Sequence, residues 1–243
     1  MISEAIILAG GLGTRVQKQL NGTPKPMAKI FDRPFIEWQI IQLKLFGVKK
    51  IIISTGYNAK DFYKYFSSRK FGVILEIIHE EKPLGTGGGL IFASKYLISE
   101  NFIALNGDSL SIFDINKLLQ SHENNEADFT LVSKYSSDNK RYGALSLDGD
   151  VVKKFKEKSD KELGGFFSVG FYCLNKNILN DFNHNEKLSL EYDFLPKWLS
   201  EGRKIYTHKI NDSFIDIGLP ETLAEGCNFV KNNISYFNNS SNK

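Results

Sequence analysis

An apolar run, Ala5-Ile6-Ile7-Leu8-Ala9, breaks into Gly10-Gly11-Leu12-Gly13-Thr14-Arg15 and closes at Thr23-Pro24-Lys25-Pro26. A run this short and this apolar reads as a strand buried on both faces. A buried strand that stops at a glycine loop exposes backbone N–H groups in a concavity, and such concavities bind anions. Arg15 adds a planar guanidinium fork matched to phosphate, and Lys25 adds a point charge. The stretch therefore predicts a site for a nucleoside triphosphate.

The pattern repeats along the chain. Lys50–Ser54, Gly72–Ile78, Phe102–Leu105 and Asp128–Tyr135 read as further strands. Helices are predicted from Pro34 to Phe46 with Gly47 as C-cap, near Lys60–Phe66, up to about Leu97, and over Ile112–Asn124. This alternation argues for an α/β fold with a doubly wound, mainly parallel sheet. Ligands of such sheets sit beyond the carboxyl ends of the strands. The loops at Gly10–Arg15, His79–Gly89 and Asn106–Asp108 all lie there.

After Tyr142 the texture changes. Ala144–Leu147 and Val151–Phe155 read as a hairpin turning at Asp148-Gly149. Gly164–Leu174, Lys204–Ile210 and Ser213–Ile217 read as strands, and Lys176–Phe182, Ser189–Ser200 and Glu221–Lys231 as helices, the last starting at Pro220. The expected organisation is one domain over 1–231, with a nucleotide-binding half (1–135) and a smaller α+β lid (136–231). The Asn- and Ser-rich stretch 232–243 is expected to be a disordered tail.

Charge narrows the partners. With 31 basic and 28 acidic residues, the net charge of +3 is too mild to argue for nucleic acid or a membrane. Cys173 and Cys227 lie in unrelated contexts and suit a reduced compartment. No cleavage signal opens the chain, and no apolar run approaches the ~20 residues of a membrane span. The expected location is the cytoplasm. Oligomeric state is left open, a homo-oligomer included.

Competing chemistries fail on particular residues. Gly11-Leu12-Gly13-Thr14-Arg15-Val16 misses the dinucleotide fingerprint because Val16 stands where a small residue is needed. The second strand also ends in Ser54-Thr55, with no acid for a ribose. No G-x-x-x-x-G-K-[ST] exists, which excludes a P-loop. Asp148-Gly149-Asp150 is ordinary turn chemistry at a hairpin tip. The four histidines have no zinc spacing, and no Ser/His/Asp set can be assembled.

Leu8-Ala9-Gly10-Gly11-Leu12-Gly13-Thr14-Arg15 followed by Pro24-Lys25-Pro26-Met27 resembles the signature of the sugar-1-phosphate nucleotidyltransferases. Pro83-Leu84-Gly85-Thr86-Gly87-Gly88 and Asn106-Gly107-Asp108 match the family's next two motifs, in the family's order. The resemblance implies a Rossmann-like, GT-A-like fold and a reaction in which a sugar phosphate oxygen attacks the α-phosphorus of a nucleoside triphosphate. It implies that Leu8, Gly10, Gly11, Gly13, Thr14, Pro83, Gly85 and Thr86 bind the nucleotide. Arg15 would stabilise the leaving pyrophosphate, and Lys25 would bridge the two reacting phosphates. Asp108 and Asp216 would hold Mg²⁺, which suits two hard-oxygen ligands.

On the sugar side, Phe155-Lys156-Glu157-Lys158 resembles the family's F-x-E-K motif, although Ser159 replaces the usual Pro. Glu157 would reach sugar hydroxyls and Lys158 the phosphate, with Gly143, Gly170 and Glu191 as further contacts. Glu80 falls where relatives read the base, and a carboxylate suits the N1–H and N2–H₂ of guanine; Glu81 or a uracil N3–H would also satisfy the pattern. The run PLGTGG followed by NGDS is most similar to heptose 1-phosphate guanylyltransferases, and muramate-1-phosphate uridylyltransferases have a similar glycine run. The expected product is a GDP-heptose feeding capsule or lipopolysaccharide assembly. UTP- or CTP-dependent transfer, or a silent nucleotide-sugar-binding regulatory subunit, are the alternatives.

Overall fold

Strand Glu4–Ala9 pairs in parallel with Lys50–Thr55 on one side and Asn101–Asn106 on the other, and Ile74–His79 extends the first edge. The computed structural model describes residues 2–56, 58–138, 142–156, 164–183 and 186–238. Alternate residues of each strand enter different cores. Ile7, Ile51 and Ile53 pack with Ile36, Ile40 and Phe62 on one face. Ile6, Ile52 and Ala104 pack with Leu90, Phe194 and Trp198 on the other. The continuous apolar runs follow from this two-sided burial.

The second half adds to the same sheet. Gly165–Asn175 runs antiparallel to both Asn101–Asn106 and Phe129–Ser136, and Ile205–Ile210 returns parallel to the latter. The hairpin Ala144–Asp148/Val151–Lys156 completes a nine-stranded sheet among the described residues. Parallel pairing thus dominates the first half, and mixed pairing the part expected as a lid. Asp148-Gly149-Asp150 lies at the hairpin tip, with Gly149 left-handed.

Helix Phe35–Leu45 positions the site from below. Gln39 and Gln42 are wholly buried on it. Gln39 Nε2 donates to the carbonyls of Asn106 and Ser109, both at 2.7 Å, and Gln42 Nε2 donates to that of Ser111. These bonds pin the loop that carries Asp108. That loop continues into Ser109–Ser111, which pairs antiparallel with Phe214–Asp216.

Three expectations are corrected. Lys176–Asp181 is a 3₁₀ helix, not an α-helix. Over Ser189–Ser200, a π turn at Leu190–Phe194 precedes a shorter α-helix, Leu195–Ser200. Pro196 lacks an N–H and is tolerated only in the first turn, so the α-helix starts beside it. The stretch from 232 onward also does not begin a disordered tail. Helix Pro220–Asn232 is followed by Ile234–Asn238, and Phe237 is buried with its ring 5.0 Å from that of Trp38. Tyr236 donates to the carbonyl of Phe113 at 2.9 Å. Asn-rich composition concealed these aromatic anchors. No helix among the described residues is long and apolar enough to cross a membrane.

Candidate active site

The loops that follow Ala9, His79 and Asn106 meet in a cleft of about 450 Å³, within the usual size of a small-molecule site. Leu8, Gly10, Gly11, Gly13, Thr14, Glu80, Pro83, Gly85 and Thr86 all line it, together with Lys25 and Asp108. Gly13 adopts φ +61°, and a Cβ there would stand 3.1 Å from Lys25 Cβ. The glycine loop therefore lies directly on the lysine stem. The Gly107 N–H donates to the Leu8 carbonyl at 2.8 Å, tying the third loop to the first strand. Lys25 Nζ donates to Asp108 Oδ2, and both side chains are mostly withdrawn from solvent.

A second cavity adjoins the first. It is lined by Arg15, Gly143, Gly170, Glu191 and Asp216, with Tyr142, Ser168 and Tyr192. Among the described residues, Asn106 and Asp108 line both cavities. Arg15 stands in this second cavity rather than in the cleft of the glycine loop. Strand pairing sets Asp216 opposite Ser109, and the Ile217 N–H donates to the Asp108 carbonyl at 3.0 Å. Both acidic residues thus line the second cavity. Asp216 Oδ1 accepts from the Gly218 N–H at 2.7 Å, and Tyr142 donates to Oδ2 at 3.4 Å. No group of three or more metal-ligating side chains forms among the described residues. A pair of carboxylates still suits Mg²⁺, which commonly takes one or two carboxylates and completes its shell with substrate phosphates and water.

Gly170 has φ +76°, and a Cβ there would meet Asn106 Nδ2 at 2.6 Å. It sits at a break in pairing between Ser168 and Tyr172. Tyr172, wholly enclosed, donates to Glu191 Oε1 at 3.3 Å, and Ser189 Oγ donates to Oε2 at 3.3 Å. Burial pushes the Tyr172 hydroxyl well above the ordinary tyrosine range, with the Glu191 charge adding to the effect. Glu191 rides on the π turn, and such turns recur at functional sites. Glu157 and Lys158 lie outside the described residues.

Glu80 is only 6% exposed. Ser54 Oγ donates to its Oε1 at 2.7 Å and the Leu84 N–H to its Oε2 at 3.2 Å. Gly10 and Gly89 make room for the carboxylate, since a Cβ on either would approach Oε1 within 2.9 Å. Burial raises its pKa above the ordinary glutamate value. Glu81 is exposed. The glycine run itself has a packing role. The Gly87 and Gly88 N–H groups both donate to the Leu188 carbonyl, at 2.8 and 3.2 Å, and Thr86 Oγ1 accepts from the Leu190 N–H at 2.9 Å.

Residues 4–233 match the family described as Nucleotidyl transferase. The chain belongs to the nucleotidyl transferase family. It is similar to D-glycero-alpha-D-manno-heptose 1-phosphate guanylyltransferases from Campylobacter jejuni (38% identical, 90% of this chain and 96% of the relative) and Aneurinibacillus thermoaerophilus (37% identical, 90% and 94%). A crystal structure of HddC from Yersinia pseudotuberculosis complexed with GMP-PN superposes with a TM-score of 0.81 at 33% identity, covering 93% of this chain and 99% of that one. The protein is thus an enzyme of the nucleotidyltransferase class.

The sequence pointed to most of the residues gathered around Asp108. It missed three others. Asn106 was visible inside a quoted motif but had no role assigned. Tyr172 and Lys187, the latter also lining the cleft of the glycine loop, sit in stretches without motif spacing.

Proposed function

We propose that this enzyme transfers GMP from GTP to D-glycero-α-D-manno-heptose 1-phosphate, giving the GDP-heptose and pyrophosphate. One observation carries the reading. Two cavities meet at Asn106 and Asp108, and Lys25 is paired with Asp108. Such a junction suits the meeting of two phosphates, one from each substrate. The guanylyltransferase relatives support the choice of base and sugar.

An oxygen of the sugar phosphate attacks the α-phosphorus in line. The bond from that phosphorus to the oxygen bridging to the β-phosphate breaks, and its electron pair leaves with pyrophosphate. The chain contributes positioning and charge. The backbone of Gly10–Thr14 cradles the triphosphate, and Lys25 offsets repulsion between the two anions. Arg15 would stabilise the leaving pyrophosphate, and its position on the second cavity supports a contact with the sugar phosphate as well. Gly143, Gly170 and Glu191 contact the sugar, and by the motif they belong to Glu157 would reach its hydroxyls and Lys158 its phosphate. Asp108 and Asp216 would hold Mg²⁺, which when bound neutralises phosphate charge and polarises the phosphoryl oxygens. Both substrates are soluble anions, which fits a cytoplasmic reaction without nucleic acid or membrane.

Pyrophosphate release, measured for GTP, UTP, CTP and ATP against heptose and hexose 1-phosphates, tests this reading. The highest kcat/KM is expected for GTP with the heptose phosphate. Faster turnover of UTP or CTP with another sugar phosphate would overturn the substrate pair. Release under no combination would mark a regulatory subunit that binds without turnover.

A further inference from the structure

Segment Glu186–Leu190 is strapped to the start of helix Gly85–Ser94. Besides the bonds to Gly87, Gly88 and Thr86, the Leu188 N–H donates to the Leu84 carbonyl at 2.9 Å. The glycines make this seat possible. A Cβ on Gly85 would stand 2.5 Å from the Leu188 carbonyl oxygen, and one on Gly88 would stand 2.3 Å from that of Glu186. The strap is therefore held by backbone on both sides, and its position is set by the glycine run.

The strap carries Lys187 to the nucleotide cleft, where its side chain is exposed and lines the wall. Among the described residues it has no hydrogen-bond or ion-pair partner. Leu84 links it to Glu80. The Leu84 N–H donates to Glu80 Oε2, and the Leu84 carbonyl accepts from the residue that follows Lys187. Glu80, whose carboxylate only accepts, and Lys187, whose ammonium only donates, thus line one cleft and are joined through Leu84.

Resting on the guanylyl reading above, we infer that Lys187 selects the base by donating to the acceptor edge of guanine, O6 and N7, while Glu80 accepts from N1–H and N2–H₂. Guanine presents these two edges side by side. Adenine reverses the pattern, because its 6-amino group meets Lys187 donor to donor and its bare N1 meets the carboxylate acceptor to acceptor. The pair therefore selects guanine by repelling adenine as well as by attracting guanine. The phosphates have cations of their own in Arg15 and Lys25, carried by a different loop.

The test compares GTP with analogues altered at single positions. 6-Thio-GTP and 7-deaza-GTP weaken the acceptor edge, and ITP removes only the 2-amino donor. The wild-type enzyme should lose about tenfold in kcat/KM on 6-thio-GTP and 7-deaza-GTP, as expected for a hydrogen bond from a charged donor. In Lys187→Ala that gap should close to about twofold or less, while the loss on ITP persists. Lys187→Arg should keep part of the gap. A common fall for GTP and all three analogues in Lys187→Ala would place the lysine on the phosphates and overturn the inference. An unchanged gap would also overturn it. A wild-type preference for UTP or CTP over GTP would instead defeat the guanylyl reading, so the two failures are distinguishable.

Discussion

Among the described residues, the cleft around Gly10–Thr14 is lined by four glycines and no aromatic ring, whereas the cavity around Gly170 and Glu191 is lined by two glycines and four aromatic side chains. The first grows from loops that leave neighbouring parallel strands, so each loop arrives at the cleft wherever its strand ends. The second depends on an irregular strand, a π turn and a short two-stranded sheet. Triphosphate recognition needs N–H groups and charge, which a backbone loop supplies. Sugar recognition needs hydroxyl partners at set positions, which oriented side chains supply together with backbone groups at glycine positions. Asp108 belongs to both.

The sharpest way to break this comparison is at the shared residue. Asp108→Asn should abolish pyrophosphate release at any practical Mg²⁺ concentration while leaving the circular dichroism unchanged. Near-normal turnover would detach Asp108 from the reaction and leave the cavities without a common centre. Lys25→Ala should lower kcat by about 10²–10³-fold, the usual effect of removing preorganised charge. A fall in Tm with kcat intact would instead make Lys25 a structural prop for Asp108.

A third substitution separates the cavities. Gly170→Ala forces a side chain into the left-handed region and against Asn106. It should cost about 1–3 kcal/mol in urea denaturation and raise KM for the sugar phosphate more than KM for GTP. Equal changes in both KM values would show that the second cavity does not serve the acceptor alone.

The smallest expected effect is a pH dependence confined to the nucleotide side. Burial raises the Glu80 carboxyl above its ordinary value of 4.5. The folded chain then holds that proton more tightly than the unfolded chain. The associated stability is complete below 4.5 and is lost as pH rises through the raised value. Glu80→Gln cannot ionise, so its thermal stability should be flatter across that window. In the wild type, KM for GTP should fall several-fold over the same window as the carboxylate forms, while KM for the sugar phosphate stays level. Parallel movement of both KM values would trace the titration to a group other than Glu80.

Legibility followed the same division. The parallel half was readable because two-sided burial leaves uninterrupted apolar runs, and its loops were readable because glycine, lysine and aspartate act there within a few residues of a strand end. The mixed half was harder. Helical periodicity over 189–200 concealed the π turn that presents Glu191, and Asn-rich composition concealed the docking of Phe237 against Trp38. The run Gly85–Gly89 was visible as a motif, but its use as a seat for Glu186–Leu190 was not, because the seated segment lies about a hundred residues away.

By itself the sequence determined the α/β architecture, the glycine loop at the first strand end and most of the acidic and basic residues that line the two cavities, because these depend on local pattern and on strand ends. Only the tertiary structure decided that Arg15 lines the second cavity, that Asp216 shares that cavity with Asp108, and that Lys187 and Glu80 line one cleft. Those placements rest on strand register and on close backbone approach between distant segments, and neither leaves a periodic trace in the chain.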